Sequence, residues 1–147
     1  MYVPISAKIT LWANRAIGAL LAVLVFAMPT LLDWYQQLRP LGLHGAAAIM
    51  IGFYCCAPVA AVALWNMDAI LRSVLRVQVF TRTVVRRIRR VRWCCLGVCL
   101  ICLPAAIFYP PLVFMVVIMA FLALVVSVLA AVMDAAVAIR EENDLTI

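Results

Sequence analysis

Six cysteines, one histidine and one acid set in a long apolar run are the residues of this chain whose types could do chemistry. Cys95, Cys99 and Cys102 stand at i, i+4 and i+7, which places three thiols on one face of a helix. With Cys56 from a neighbouring apolar segment they could make a soft-metal site or a redox sensor. No C-x-x-C pair is followed by a histidine or a second pair, so the spacing of a zinc site is missing. Cysteine is also a small apolar packing residue, and Cys55, Cys56 and Cys94 lie in apolar runs with the other three. Packing is the preferred reading, with no metal and no cofactor.

Asp134 is an acid inside an apolar helical run, which is costly in a membrane and is by default a functional position. It lies about 30 Å along its helix from Leu112, near the expected inner interface, at 1.5 Å per residue. There Arg15 or one of the arginines at positions 72–92 can pair with it, and a structural ion pair is preferred over a transport or proton-relay role. His44 sits at the mouth of an apolar run and reads as an interfacial polar residue. No Ser/His/Asp set, carboxylate pair or phosphate-binding glycine loop accompanies these groups, so an enzyme is not expected.

The elements that position these residues follow from composition. The chain has 147 residues, 69% of them hydrophobic and 12% charged, with a mean hydropathy of +1.18. Ordinary soluble domains are about half apolar and a quarter charged, and disordered chains are polar. Those classes are excluded, and an integral membrane protein remains. At about 20 residues per helical span the length accommodates four. The apolar runs place them at about 11–32, 42–65, 91–109 and 112–139, in one all-α domain with antiparallel neighbours. The first run is too long for a cleaved signal and has no small-x-small site after it.

Small residues recur along three spans: Ala48, Gly52, Cys56 and Ala60; Cys95, Cys99, Cys102 and Ala106; Ala120, Ala123, Ser127, Ala130, Asp134 and Ala138. In lipid, helices associate through such close-contact stripes, and the three-four alternation of the last is that of a left-handed seam. A compact four-helix bundle is expected. Pro58 and Pro104 are expected to kink their helices.

The net charge of +6 is one-sided. Arg72, Arg76, Arg82, Arg86, Arg87, Arg89, Arg90 and Arg92 flank or occupy the segment between the second and third spans, whereas the other two links carry only Arg39. The positive-inside rule makes that segment cytoplasmic, and with four spans both termini as well. Met67 to Val79 has an amphipathic pattern, with Asp68, Arg72 and Arg76 on its polar side, and Thr81 or Thr83 can cap a second helix that enters the third span. Together they predict a basic helical hairpin over 66–90. An acidic tail, 140–147, carries Glu141, Glu142 and Asp144 and is expected to fold back on the hairpin or to remain a free peptide. The hairpin suits anionic lipid headgroups or an acidic protein surface. Direct nucleic-acid binding is not expected, because no recognition module accompanies the arginines.

Leu71-Arg72-x-x-Leu75, Phe80-Thr81, Val85, Ile88-Arg89 and the terminal Glu141-Glu142-Asn143-Asp144-Leu145-Thr146-Ile147 resemble a bacterial family of small four-span membrane proteins of unknown function. The chain departs from the family's pattern at Gln78, near a usual glycine, and at Val84, where asparagine is usual. Genes of that family often lie beside a small Cro/CI-type helix-turn-helix regulator. The resemblance therefore implies a bacterial inner-membrane protein that holds or releases such a regulator. It carries over no catalytic or binding residues. The expectation is a non-enzymatic regulatory membrane protein, in contact with anionic lipid, docking a cytosolic partner through the hairpin and tail, with self-association as a further possible contact. A small transporter using Asp134 is the alternative, and a structural or lipid-organising protein the third reading.

Overall fold

The computed structural model describes residues 5–40, 42–76 and 81–145; of these, the side chains of 5–7, 43, 144 and 145 are outside the description. Four helices follow in order: α1 Ile5–Leu38, α2 Leu43–Leu75, α3 Arg82–Phe108 and α4 Leu112–Leu145. All four are long and apolar enough to cross a membrane. A helix satisfies its own backbone groups, which is what lipid demands of a spanning segment. At 1.5 Å per residue they run about 40–51 Å, well past the roughly 30 Å of a hydrocarbon core. Their excess length emerges as helix.

Proline and glycine set the breaks. Pro40 disfavours helix at Arg39, whose N–H closes the end of α1 on the Tyr35 carbonyl at 2.9 Å. Gly42 accepts the first bonds of α2, from Gly45 and Ala46. Pro110 holds Tyr109 extended, with φ −137° and ψ 91°. Leu112 and Val113 then donate back to the Tyr109 and Pro110 carbonyls, both at 3.0 Å. The helices continue through Pro29, Pro58 and Pro104. Thr81 stands at the start of α3 as expected, but only its carbonyl takes part, accepting from Val84 and Val85, and its hydroxyl makes no cap.

The packing is sequential. α1 touches α2, α2 touches α3 and α3 touches α4, with no other helix pair in backbone-level contact among the described residues. The four antiparallel helices form an open row where a closed, compact arrangement was expected. α2 and α3 are the inner helices of the row, and on α3 the buried Val84, Ile88, Val91, Val98, Cys102 and Ala105 follow a heptad repeat in which Cys95 is half-buried, with Val85 buried beside it. α4 answers with Ala123, Ala130 and Val137, seven residues apart. The expected α4 seam thus holds at Ala123 and Ala130 but ends on Val137, while Ala138 is exposed. Between α2 and α3, Gly52 faces Ala105 and Gly97 faces Val59, each leaving room for ordinary van der Waals contact.

Tryptophans mark a depth. Asn14 on α1 donates its side-chain N–H to the Leu64 carbonyl at 3.1 Å, and the contacts of Gly97 with Val59 and of Cys56 with Cys102 set α2 against α3. That register brings Trp12, Trp65 and Trp93 to one level, and all three are exposed. Trp34 lies about 33 Å from Trp12 along α1, and His44 about 32 Å from Trp65 along α2, close to the apolar thickness of a bilayer. Arg92 donates to the Ser127 hydroxyl at 3.3 Å, which carries the level onto α4.

Candidate functional site

Beyond the Trp12–Trp65–Trp93 level, α2, α3 and α4 continue together as a short three-helix unit, and most of the charged residues lie there. The amphipathic stretch expected as a separate helix from Met67 is the last part of α2, uninterrupted to Leu75. No glycine or proline breaks it. Asn66, buried at 4% exposure, donates to the Val62 carbonyl at 2.8 Å within its own helix. The turn of the hairpin, with Gln78, Val79 and Phe80, lies outside the described residues.

Val84 and Ile88 of α3 pack on Ala130 of α4, with Ile70 of α2 and Val126 and Met133 of α4 around them. Val84, at 1% exposure, is the most buried side chain among the described residues. This small core is built as in a soluble protein, by removing apolar surface from water. Its sequence signal is the stripe Val84, Ile88, Val91, whose buried partners on α4 were not foreseen there. A buried asparagine at 84 would need hydrogen-bond partners, whereas valine needs only packing.

The ion pairs hold this unit at three places. Asp68 accepts from Arg15 of α1 at 3.3 Å and also pairs with Arg72 one turn further along α2. Arg89 Nη2 donates to Asp134 Oδ2 at 3.1 Å. The partner of Asp134 is therefore an arginine of the basic segment and not Arg15, because Arg15 lies across the row on α1. Asp134 sits about 10 Å beyond Ser127, past the tryptophan level, and its side chain is 40% exposed.

Arg82 grips Glu141 with two bonds, Nη2 to Oε2 at 2.6 Å and Nε to Oε1 at 3.1 Å. That forked hydrogen bond holds the Glu141 carboxyl below the usual glutamate range and raises Arg82. Both residues lie well outside the tryptophan level. The segment expected as a tail, folded back on the hairpin or free, forms the last turns of α4, helical to Leu145. It meets α3 side by side because helix-forming residues carry α4 on without a glycine or proline. Glu142 is exposed on those turns, and the side chain of Asp144 lies outside the described residues, as do Thr146 and Ile147.

The remaining cations divide by direction. Arg76, Arg86, Arg90 and Arg140 are exposed, whereas Arg87 is half-buried. Arg76, Arg86, Arg87, Arg90 and Arg140 have no acidic partner among the described residues.

The cysteines do not converge. Cys56 and Cys102 approach across α2 and α3 with their sulfurs 3.8 Å apart, whereas Cys99 turns to α4 and donates to the Val116 carbonyl. Among the described residues no group of three or more His, Cys, Asp and Glu side chains could hold a metal. His44 is exposed at the start of α2, at the end remote from the arginines.

No curated protein and no solved structure matches the chain. A family model described as "Protein of unknown function (DUF2975)" matches residues 33–147, a segment that takes in the last turns of α1, all of α2, α3 and α4, and the whole arginine-rich end. The resemblance read from the Leu71–Arg89 segment and the acidic terminus thus extends over most of the protein, and this chain belongs to the DUF2975 family.

Proposed function

We propose that this multi-pass membrane protein is a non-enzymatic regulator whose arginine-rich end lies in the cytoplasm of a bacterial cell and docks an acidic surface of a cytosolic protein. The observation that carries the reading is that Arg86, Arg90 and Arg140 stand exposed on a packed helical unit with no acid paired to them among the described residues. Fixed cations on a rigid support favour recognition, because less freedom is lost when a partner binds. The positive-inside rule supports the orientation. A small helix-turn-helix regulator encoded beside the gene is the partner suggested by the family resemblance. The half-exposed pairing of Asp134 with Arg89 supports a structural role for that acid over a transport role.

Co-purification from membranes tests the docking reading. The adjacent-gene regulator is expected to co-purify with the native protein and to be lost with Arg86→Glu/Arg90→Glu at low salt. Retention of the regulator by that variant would remove the exposed arginines from the docking surface.

A further inference from the structure

A groove of about 310 Å³ runs between the end of α2 and the start of α3, lined by Trp65, Ala69, Arg72, Ser73, Arg76 and Arg87. Its two walls differ in chemistry along the helix axis. Trp65 stands at the tryptophan level, 72% exposed, and the three arginines lie above it. Arg72 already holds Asp68, which Arg15 shares. Arg76 and Arg87 reach the groove from two different helices with no acid among the described residues.

Of the three arginines that line the groove, Arg72 is paired with Asp68, so Arg76 and Arg87 bring two positive charges with no acid paired to them among the described residues. A half-buried guanidinium such as Arg87 has surrendered part of its hydration, and an anion held by two forks restores that loss. A fully soluble anion would use the arginines alone. Trp65 instead gives the groove an apolar lower edge at the depth where acyl chains begin, which matches a molecule with a phosphate above and hydrocarbon below.

We propose that this groove is a binding site for the phosphate of an anionic phospholipid, with Arg76 and Arg87 as its principal donors and Trp65 beside the first part of the acyl chain. The site does not rest on the docking reading, since it uses Arg76 and Arg87, which line the groove, and not Arg86 and Arg90, which do not. It makes one lipid a fixed part of the α2–α3 contact. A bound lipid phosphate closes the open side of that helix pair at the membrane surface.

Tryptophan quenching by brominated lipids in phosphatidylcholine vesicles tests the site on the full-length protein. Brominated phosphatidylglycerol is expected to quench more than brominated phosphatidylcholine, with saturation at a low mole fraction. The excess disappears in Trp65→Phe. Arg76→Gln/Arg87→Gln shifts the midpoint at least about tenfold, from the loss of two cations near an anionic surface, whereas Arg86→Gln/Arg90→Gln leaves it unchanged. Equal quenching by the two lipids, or an equal shift in both arginine variants, would reduce the effect to the general field of the arginines and overturn the site. Displacement of the lipid by millimolar inorganic phosphate or by polyglutamate would assign the groove to a soluble anion or an acidic peptide and likewise overturn it. Should the double variant fail to insert, Trp65→Phe against native protein still decides. Regulator co-purification is scored separately, so failure of the lipid site and failure of the docking surface are distinguishable.

Discussion

Two residues show how differently polar and apolar side chains act at the arginine-rich end. Asp134 drew notice as an acid in an apolar run, yet it is paired with Arg89, and the two side chains are 40% and 53% exposed, beyond the tryptophan level. Such a pair contributes little, because solvent screens it and two side chains must be ordered. Val84 drew notice as one member of an apolar stripe and as a departure from a family pattern, and it is the centre of the small core at this end. Asp134→Asn is expected to cost under about 1 kcal/mol, and Val84→Ala about 2 kcal/mol through lost burial and the cavity left behind. Unfolding of the two variants in the same detergent, with Val117→Ala as a lipid-facing control near zero, checks the order. A larger loss for Asp134→Asn than for Val84→Ala would show that the ion pair and not the apolar core organises this end.

At the scale of elements, the arginine segment and the acidic end are extensions of the spans. The register of α3 against α4 is written in Cys99 with Val116, Arg92 with Ser127, Arg89 with Asp134 and Arg82 with Glu141, in order along both helices. The last of these pairs is the one that pH can break. Glu141 is held below its ordinary range in the folded protein, so its contribution is present above the unfolded value, about 4.3 for glutamate, and is lost as pH falls through the folded value. Amide exchange is therefore expected to accelerate in the last turns of α4 as the pH is lowered past that range, while α3 from Val91 to Ala105 stays protected. Intrinsic exchange slows over the same pH change, so rates are compared as protection factors. Glu141→Gln should show the low protection at neutral pH. A native last turn in that variant would remove the fork from the register.

For the whole molecule, the open row gives α3 two neighbours and leaves α1 attached through α2, with the Tyr35 and Tyr109 hydroxyls 3.1 Å apart as a side-chain link at the end remote from the arginines. With four antiparallel spans, the start of α1 and the end of α4 fall on the side of the arginines, and in the proposed orientation that side is the cytoplasm. Fusions of a fluorescent protein after Ile147 are expected to fluoresce, and alkaline phosphatase fused there to be inactive, with the reverse at Pro40. The opposite pattern would invert the orientation and place the arginines outside.

Much of this architecture was legible from the chain itself. The spans, their antiparallel order and the crowding of cations at one end follow from composition and hydropathy. So does the close approach at Gly52 and Cys56, because lipid imposes one backbone solution and small residues mark where helices touch. Periodicity finds a helix's buried face but not which helix covers it. Only the tertiary structure decided that the row is open, that Cys99 and Cys102 turn to different neighbours, and that Arg89 takes Asp134 while Arg15 takes Asp68. Only it could show Arg76 and Arg87, eleven residues apart in sequence, lining one groove above Trp65. Pairings of this kind depend on register between separate helices, and that is set by the summed fit of many side chains across each contact.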